Sequence, residues 1–113
     1  MRDEAYLLDM LIAARKAIQF TEGSTAESFR HDQLVQNAVV RVLQVLGEAA
    51  RRVSATYKEE HPDVPWAQIA GLRNRLVHDY MNIDLVIIWD VVRKDLGPLT
   101  QQLEPLVPRE DQI

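Results

Sequence analysis

The sequence predicts an all-α, up-and-down bundle of four main helices plus one short helical turn, occupying a single domain over residues 1–113. Three observations predict it. Apolar residues recur at steps of three and four through most of the chain, the spacing of one helical face. No segment of any length alternates apolar and polar residues as a half-buried strand does. The composition, 47% hydrophobic and 27% charged with 4 Gly and 5 Pro in 113 residues, is that of one folded core and not of a disordered or collagen-like chain.

Leu7, Leu11, Ala14 and Ile18, with Met10 beside them, mark one face of a first helix from Arg2 to about Phe20, which Gly23 closes. Ser24 followed by Glu27 reads as a capping box opening a short turn of helix to about Arg30, and Asp32 is placed to cap the next helix. From about Gln33 to Glu60 there is no Pro and one Gly, and apolar positions from Ala38 to Val53 spread over more than a narrow stripe. That long helix is expected to pack on two sides. In HPDVPW, Pro62 ends one helix, Asp63 can cap the next, and Pro65 suits its first turn, giving a helix from Trp66 to about Asp79. Asn82 or Asp84 can cap a last helix whose Leu85, Trp89, Val92, Leu96, Leu99, Leu103 and Leu106 alternate steps of four and three. The rhythm keeps its phase across Gly97-Pro98, so a kinked continuous helix is expected there.

Composition excludes several functions. With no Cys, disulfide scaffolds, thiolate nucleophiles, zinc-thiolate sites and Fe–S clusters are out. The opening MRDEAYLLDM is charged too early for a secretory signal, and the longest strictly apolar run, Leu85 to Trp89, falls far short of the roughly 20 residues that span a bilayer. A cytoplasmic protein without a membrane partner is expected. The net charge of −4 argues against coating nucleic acid without specificity, which rests on phosphate neutralisation. The charge is nevertheless uneven. Arg41, Arg51, Arg52 and Lys58 stand against Glu48 alone between Val39 and Lys58, so a local anion site is compatible with the acidic whole.

Most motif searches fail. The scattered glycines form no phosphate-cradling loop, and His31, His61 and His78 share no metal-ligand spacing, so neither a cofactor nor a metal is expected. The exception is GLRNRLVHDY, where Arg73, Asn74, His78 and Tyr80 gather a cation, an amide, an imidazole and a phenol. On an unbroken helix Arg73 and Tyr80 fall within about 20° of each other, whereas Arg73 and His78 are about 140° apart. His78 therefore joins Arg73 only if the Arg side chain curls round, the helix loosens near its end, or a second protomer supplies the partner. The set suits phosphodiester cleavage without a metal: a guanidinium holds the phosphate and its developing charge, and an imidazole titrates near neutral pH. RNA brings its own nucleophile, the 2′-hydroxyl. One His serves as base or as acid, so two copies facing each other across a dimer would supply both.

The same segment resembles the signature of the HEPN superfamily, in particular the HepT-like (DUF86) toxins, in which an Arg is followed after four residues by a His and, one residue later, by a Tyr. Arg73, His78 and Tyr80 fit without a gap, and Asn74 matches the polar residue that commonly follows the Arg. DEAYLLDMLIAARKAI, QNAVVRVLQVLGEAARR and the stretch from Asp84 to Trp89 extend the likeness over nearly the whole chain. The resemblance implies a helical bundle that dimerises, brings two motifs to one cleft and acts as a metal-independent ribonuclease. It implies Arg73 and His78 as the catalytic pair, with Asn74 supporting the pocket and Tyr80 lining it. It also implies a toxin–antitoxin pair, in which a minimal nucleotidyltransferase antitoxin adenylylates Tyr80. An anionic nucleotide there would occupy the phosphate site and neutralise Arg73. Arg41 and Glu48, inside the long helix, either line the same cleft or pair with neighbours.

Two other readings compete. One is a non-catalytic nucleotide- or RNA-binding module that docks on a nucleotidyltransferase. The other is a structural helical dimer in which the motif is a packing cluster, which burial of Arg73 and His78 away from any cleft would support.

Overall fold

The computed structural model describes residues 2–79 and 82–108, with the backbone alone at 77–79 and 82. Helix α1 (Arg2–Phe20) and helix α3 (Gln33–Arg52) form the centre, joined through the short α2 (Ala26–Arg30). Gly23 leaves α1 at φ 76°, a left-handed conformation that closes a helix at little cost for a residue without a Cβ. The capping box of α2 is built one residue later than expected, by Thr25 and Ser28 and not by Ser24 and Glu27. Each accepts a hydrogen bond from the other's backbone N–H, at 2.9 and 3.0 Å. Glu27 instead pairs with Arg30. Asp32 caps α3 as expected, accepting from the Val35 N–H at 3.1 Å.

The long third helix does not run to Glu60. It stops at Arg52, and a separate α4 (Ala55–Glu60) begins after Ser54. The break has a clear cause: the Ser54 hydroxyl accepts from the Tyr57 N–H, while the Asp3 carboxylate accepts from the Ser54 N–H at 2.8 Å and its hydroxyl at 2.7 Å. A serine whose hydroxyl bonds the backbone three residues on while a distant carboxylate holds its own N–H favours a cap over a helix interior. The same contact places the start of α1 beside the end of α3, so the two run antiparallel.

The helix expected from Trp66 to Asp79 is divided. It becomes α5 (Trp66–Ala70) and α6 (Leu72–Leu76), hinged at Gly71, and Pro65 rather than Asp63 stands at the N-cap of α5. After Leu76 the backbone extends into strand β1 (Val77–Asp79), paired antiparallel with β2 (Asn82–Ile83) through Val77↔Ile83 and Asp79↔Asn82, with a bulge between. This small ribbon departs from the strand-free expectation in an otherwise helical fold. Three- and two-residue strands carry no alternation long enough to read.

Asp84 caps α7 (Leu85–Asp90), accepting from the Ile87 N–H. The chain remains helical through a widened π turn (Val91–Asp95) and α8 (Leu96–Leu103), then one 3₁₀ turn (Glu104–Leu106). The expected continuity across Gly97-Pro98 is present, with its irregularity one turn earlier than the proline. Pro98 lacks an N–H and its ring crowds the carbonyl four residues back, and the widened turn accommodates both. Arg15 reaches Glu104 at 2.7 Å and Arg93 donates to the carbonyls of Thr21 and Ser24, so the last helix runs antiparallel to α1.

The core lies where these three layers meet, with Leu7 and Met10 from α1, Leu43 and Leu46 from α3, and Ile88 and Leu103 from the last helix, all fully buried. Each such side chain contributes about 2 kcal/mol of burial. Its buried polar groups are satisfied: Gln36 donates from Nε2 to the Phe29 carbonyl at 2.8 Å, and the Thr21 hydroxyl donates to the α1 carbonyls behind it. Among the described residues no helix is long and apolar enough to cross a membrane.

α5 approaches α3 very closely. A Cβ on Gly47 would stand 3.0 Å from the Ile69 carbonyl oxygen, and Arg51 donates to the Ala70 carbonyl at 3.2 Å. These two contacts fix where α6, and with it the Arg73 motif, leaves the bundle.

Candidate functional site

An open cleft of about 500 Å³ lies between α1, α3 and α6. One face of α3 forms its floor, because Arg41, Gln44, Val45, Glu48, Ala49 and Arg52 fall at helical spacing. Tyr6 and Asp9 from α1 and Arg73 from α6 complete the lining. Arg73 is exposed on this cleft and not packed away, so the burial that a purely structural cluster calls for is not met at Arg73.

The charges in the cleft are unequally matched. Glu48 pairs with Arg52 at 3.2 Å, one turn apart on α3. The Tyr6 phenol, then Glu48, holds the Arg52 guanidinium above its ordinary pKa. Among the described residues neither Arg41 nor Arg73 takes part in an ion pair. Three arginines against two carboxylates give the cleft a surplus of positive charge in a chain of net −4. Exposed guanidiniums without a carboxylate are suited to bind an anion from solution, and phosphate oxygens match their fork.

Of the other motif residues, Asn74 lies on α6 and His78 in the strand beyond it. Asn74 is exposed on α6 and is not among the residues that line this cleft. His78 lies in β1, beyond the end of α6. The helix that would have put it about 140° from Arg73 therefore ends before reaching it. The Asp84 N–H donates to the Leu76 carbonyl at 2.8 Å and fixes that exit. The His78 side chain and the whole of Tyr80 lie outside the described residues.

Arg41 and Glu48 both line the cleft, Glu48 also pairing with its neighbour. Of the two adjacent arginines counted toward a local anion site, Arg51 ties α3 to α5 and Arg52 faces the cleft. Sequence reasoning missed Tyr6 and Asp9. The signal for the α3 wall was present in the polar steps 41, 44, 48 and 52, one stripe of a helix whose other faces are apolar.

Among the described residues no group of three or more His, Asp or Glu could hold a metal ion. A second hollow, of about 240 Å³, is lined by Ile69, Leu72, Leu96 and Leu99 together with the charged Arg75, Lys94 and Asp95. Among the described residues neither Arg73 nor Asn74 lines it.

A family model described as "Ribonuclease HepT-like" matches residues 10–106. "Putative RNase MJ1380" of Methanocaldococcus jannaschii is 35% identical over 101 residues, covering 89% of this chain and 93% of that one. "Putative RNase TTE0752" of Caldanaerobacter subterraneus subsp. tengcongensis is 32% identical over 105 residues, covering 93% and 94%. "Probable ribonuclease HepT" of Thermococcus cleftensis is 34% identical over 101 residues, covering 89% and 92%. No solved structure matches the chain significantly. A match over residues 10–106, with relatives aligned along nearly their full length, means that this chain belongs to the HepT-like ribonuclease family.

Proposed function

We propose that this protein is a metal-independent endoribonuclease and the toxin of a pair whose antitoxin is a minimal nucleotidyltransferase. The observation that carries the reading is the exposure of Arg73, without an ion-pair partner among the described residues, on a cleft that already holds Arg41 and Arg52. Arg73 binds the scissile phosphate and stabilises the charge that develops on its non-bridging oxygens. The ribose 2′-oxygen attacks phosphorus and gives its proton to a neutral His78. The bond to the 5′-oxygen breaks, and a protonated second copy of His78, from the other protomer of a homodimer, protonates the leaving oxygen. The products are a 2′,3′-cyclic phosphate and a 5′-hydroxyl.

Control of the toxin falls to Tyr80. The antitoxin transfers AMP from ATP to the phenol oxygen with release of pyrophosphate. The added phosphate and nucleotide then compete with RNA for Arg73. Asn74, exposed outside the cleft, supports the motif from α6 without touching RNA.

The test is cleavage of a mixed RNA pool in EDTA by the wild type, Arg73→Ala and His78→Ala. Loss of about 10²-fold or more is expected for each, the scale of a missing charge stabiliser or acid–base group. Wild-type rates in the His78→Ala protein would overturn the reading. Growth arrest on expression, abolished by Arg73→Ala without loss of fold, separates an active toxin from a module that only binds.

A further inference from the structure

Beyond the motif, the cleft is longer than one phosphate requires. Arg41 and Arg52 lie on the same face of α3, eleven residues apart, which is about 16 Å of helix axis. A nucleic-acid strand advances only about 3.4 Å per phosphate along a duplex, so two guanidiniums so far apart do not share one phosphate. The α5–α6 junction meets α3 at Gly47 and Arg51, between those two residues, and Arg73 stands three residues after Ala70. Arg73 therefore enters the cleft between its two ends.

The ends differ in chemistry. At one end Tyr6, beside Arg52, presents a half-buried aromatic ring. At the other end Arg41 is exposed and has no carboxylate partner among the described residues. Next to Asp9 and Val45, which line both, is a smaller depression of about 210 Å³ lined by Ile12, Val42 and Lys16. A cationic track with an aromatic platform at one end is the arrangement that holds an unpaired strand, whose splayed bases are free to stack.

Accordingly, we infer that the α3 face is an extended subsite for single-stranded RNA. Arg41 binds a phosphate flanking the one at Arg73, and Tyr6 stacks a base on the opposite side. The inference rests on the ribonuclease reading for the position of the scissile phosphate. Arg41 contacts the backbone, and Tyr6 positions the strand.

The experiment is fluorescence anisotropy of a labelled 12-nucleotide 2′-O-methyl RNA, which binds without being cleaved, titrated with the full-length protein over a range of salt. Arg41→Ala is expected to weaken binding about fivefold to tenfold. It should also reduce the slope of log affinity against log salt by about 0.7, the loss of one phosphate contact on a single strand. Tyr6→Leu is expected to weaken binding about tenfold with the salt slope retained, while Tyr6→Phe stays within about threefold of wild type. Far-UV circular dichroism confirms that each variant is folded. A hairpin duplex of the same length should bind more weakly than the single strand.

Unchanged affinity and slope in Arg41→Ala, or tighter binding of the duplex, would overturn the inference. So would a wild type that does not bind RNA at low salt, which would leave the arginines to an acidic protein partner. The two readings fail separately. Loss of binding in Arg41→Ala with undiminished cleavage by His78→Ala sinks the catalytic reading alone, and the reverse pattern sinks only the subsite.

Discussion

Gly47→Ala tests how the Arg73 motif is held. In an open helix interior the exchange is favourable by about 1 kcal/mol, because Ala gains helix propensity over Gly. Here the new methyl would stand 3.0 Å from the Ile69 carbonyl oxygen and 3.7 Å from that of Ala70. The first contact is too close, and the oxygen belongs to backbone that Arg51 also grips. Relieving it requires α5 to move by a few tenths of an ångström or more, with an overpacking cost of about 1–3 kcal/mol. The net expectation is therefore a loss of about 0–2 kcal/mol instead of a gain of about 1. For a chain of 113 residues each kcal/mol moves the melting temperature about 4 °C, so thermal denaturation should fall by up to about 8 °C. RNA cleavage should fall more than stability, because α6 carries Arg73 away with α5. A variant whose melting temperature rises by about 4 °C and whose cleavage is intact would refute the close approach and its role in placing the motif.

The two hydrogen bonds from Ser54, the backbone one foremost, hold the Asp3 carboxyl below its ordinary value of 3.8. A lowered folded-state pKa gives stability that is complete above about pH 4 and lost as pH falls through the lowered value. Asp3→Asn should thus be less stable at pH 6 and show a shallower loss on acidification, measured by urea denaturation at pH 6 and pH 2.5; an unchanged acid slope would exclude this linkage. Leu43→Ala, at a fully buried position, should cost about 2–5 kcal/mol in the same assay, and a loss under about 1 kcal/mol would mean that the core closes over the cavity. If one copy of His78 acts neutral and the other protonated, kcat/KM should fall on both sides of an optimum, and a flat profile between about pH 5 and 9 would count against two-histidine chemistry.

Much of the helical framework was legible because it is written in periodicity and caps. α1, with its apolar steps from Leu7 to Ile18, and the last helix, opened by Asp84, were readable from spacing alone. The breaks were not. α3 ends at Arg52 because Asp3, 51 residues earlier, competes for Ser54, and no local pattern announces a partner so distant. α6 ends at Leu76 although the sequence keeps a helical rhythm, because the chain there pairs with Asn82–Ile83. The motif itself was readable as Arg73, His78 and Tyr80, but its surroundings were not: the α3 stripe announces a polar face without saying that α1 would set Tyr6 against it. A site assembled by tertiary packing is visible in sequence only as unexplained polarity.

The bulge between Val77 and Asp79 bears on how such a motif can vary. Within a helix, inserting a residue between Arg73 and His78 would swing everything downstream by about 100°. Across a two-strand ribbon the same insertion inverts the alternation of faces instead, and a bulge can absorb it by leaving one residue unpaired. The Arg-to-His gap is thus governed in two parts: from Arg73 to Leu76 by the pitch of α6, and from Val77 onward by the pairing register of the ribbon, where a length change can be left unpaired.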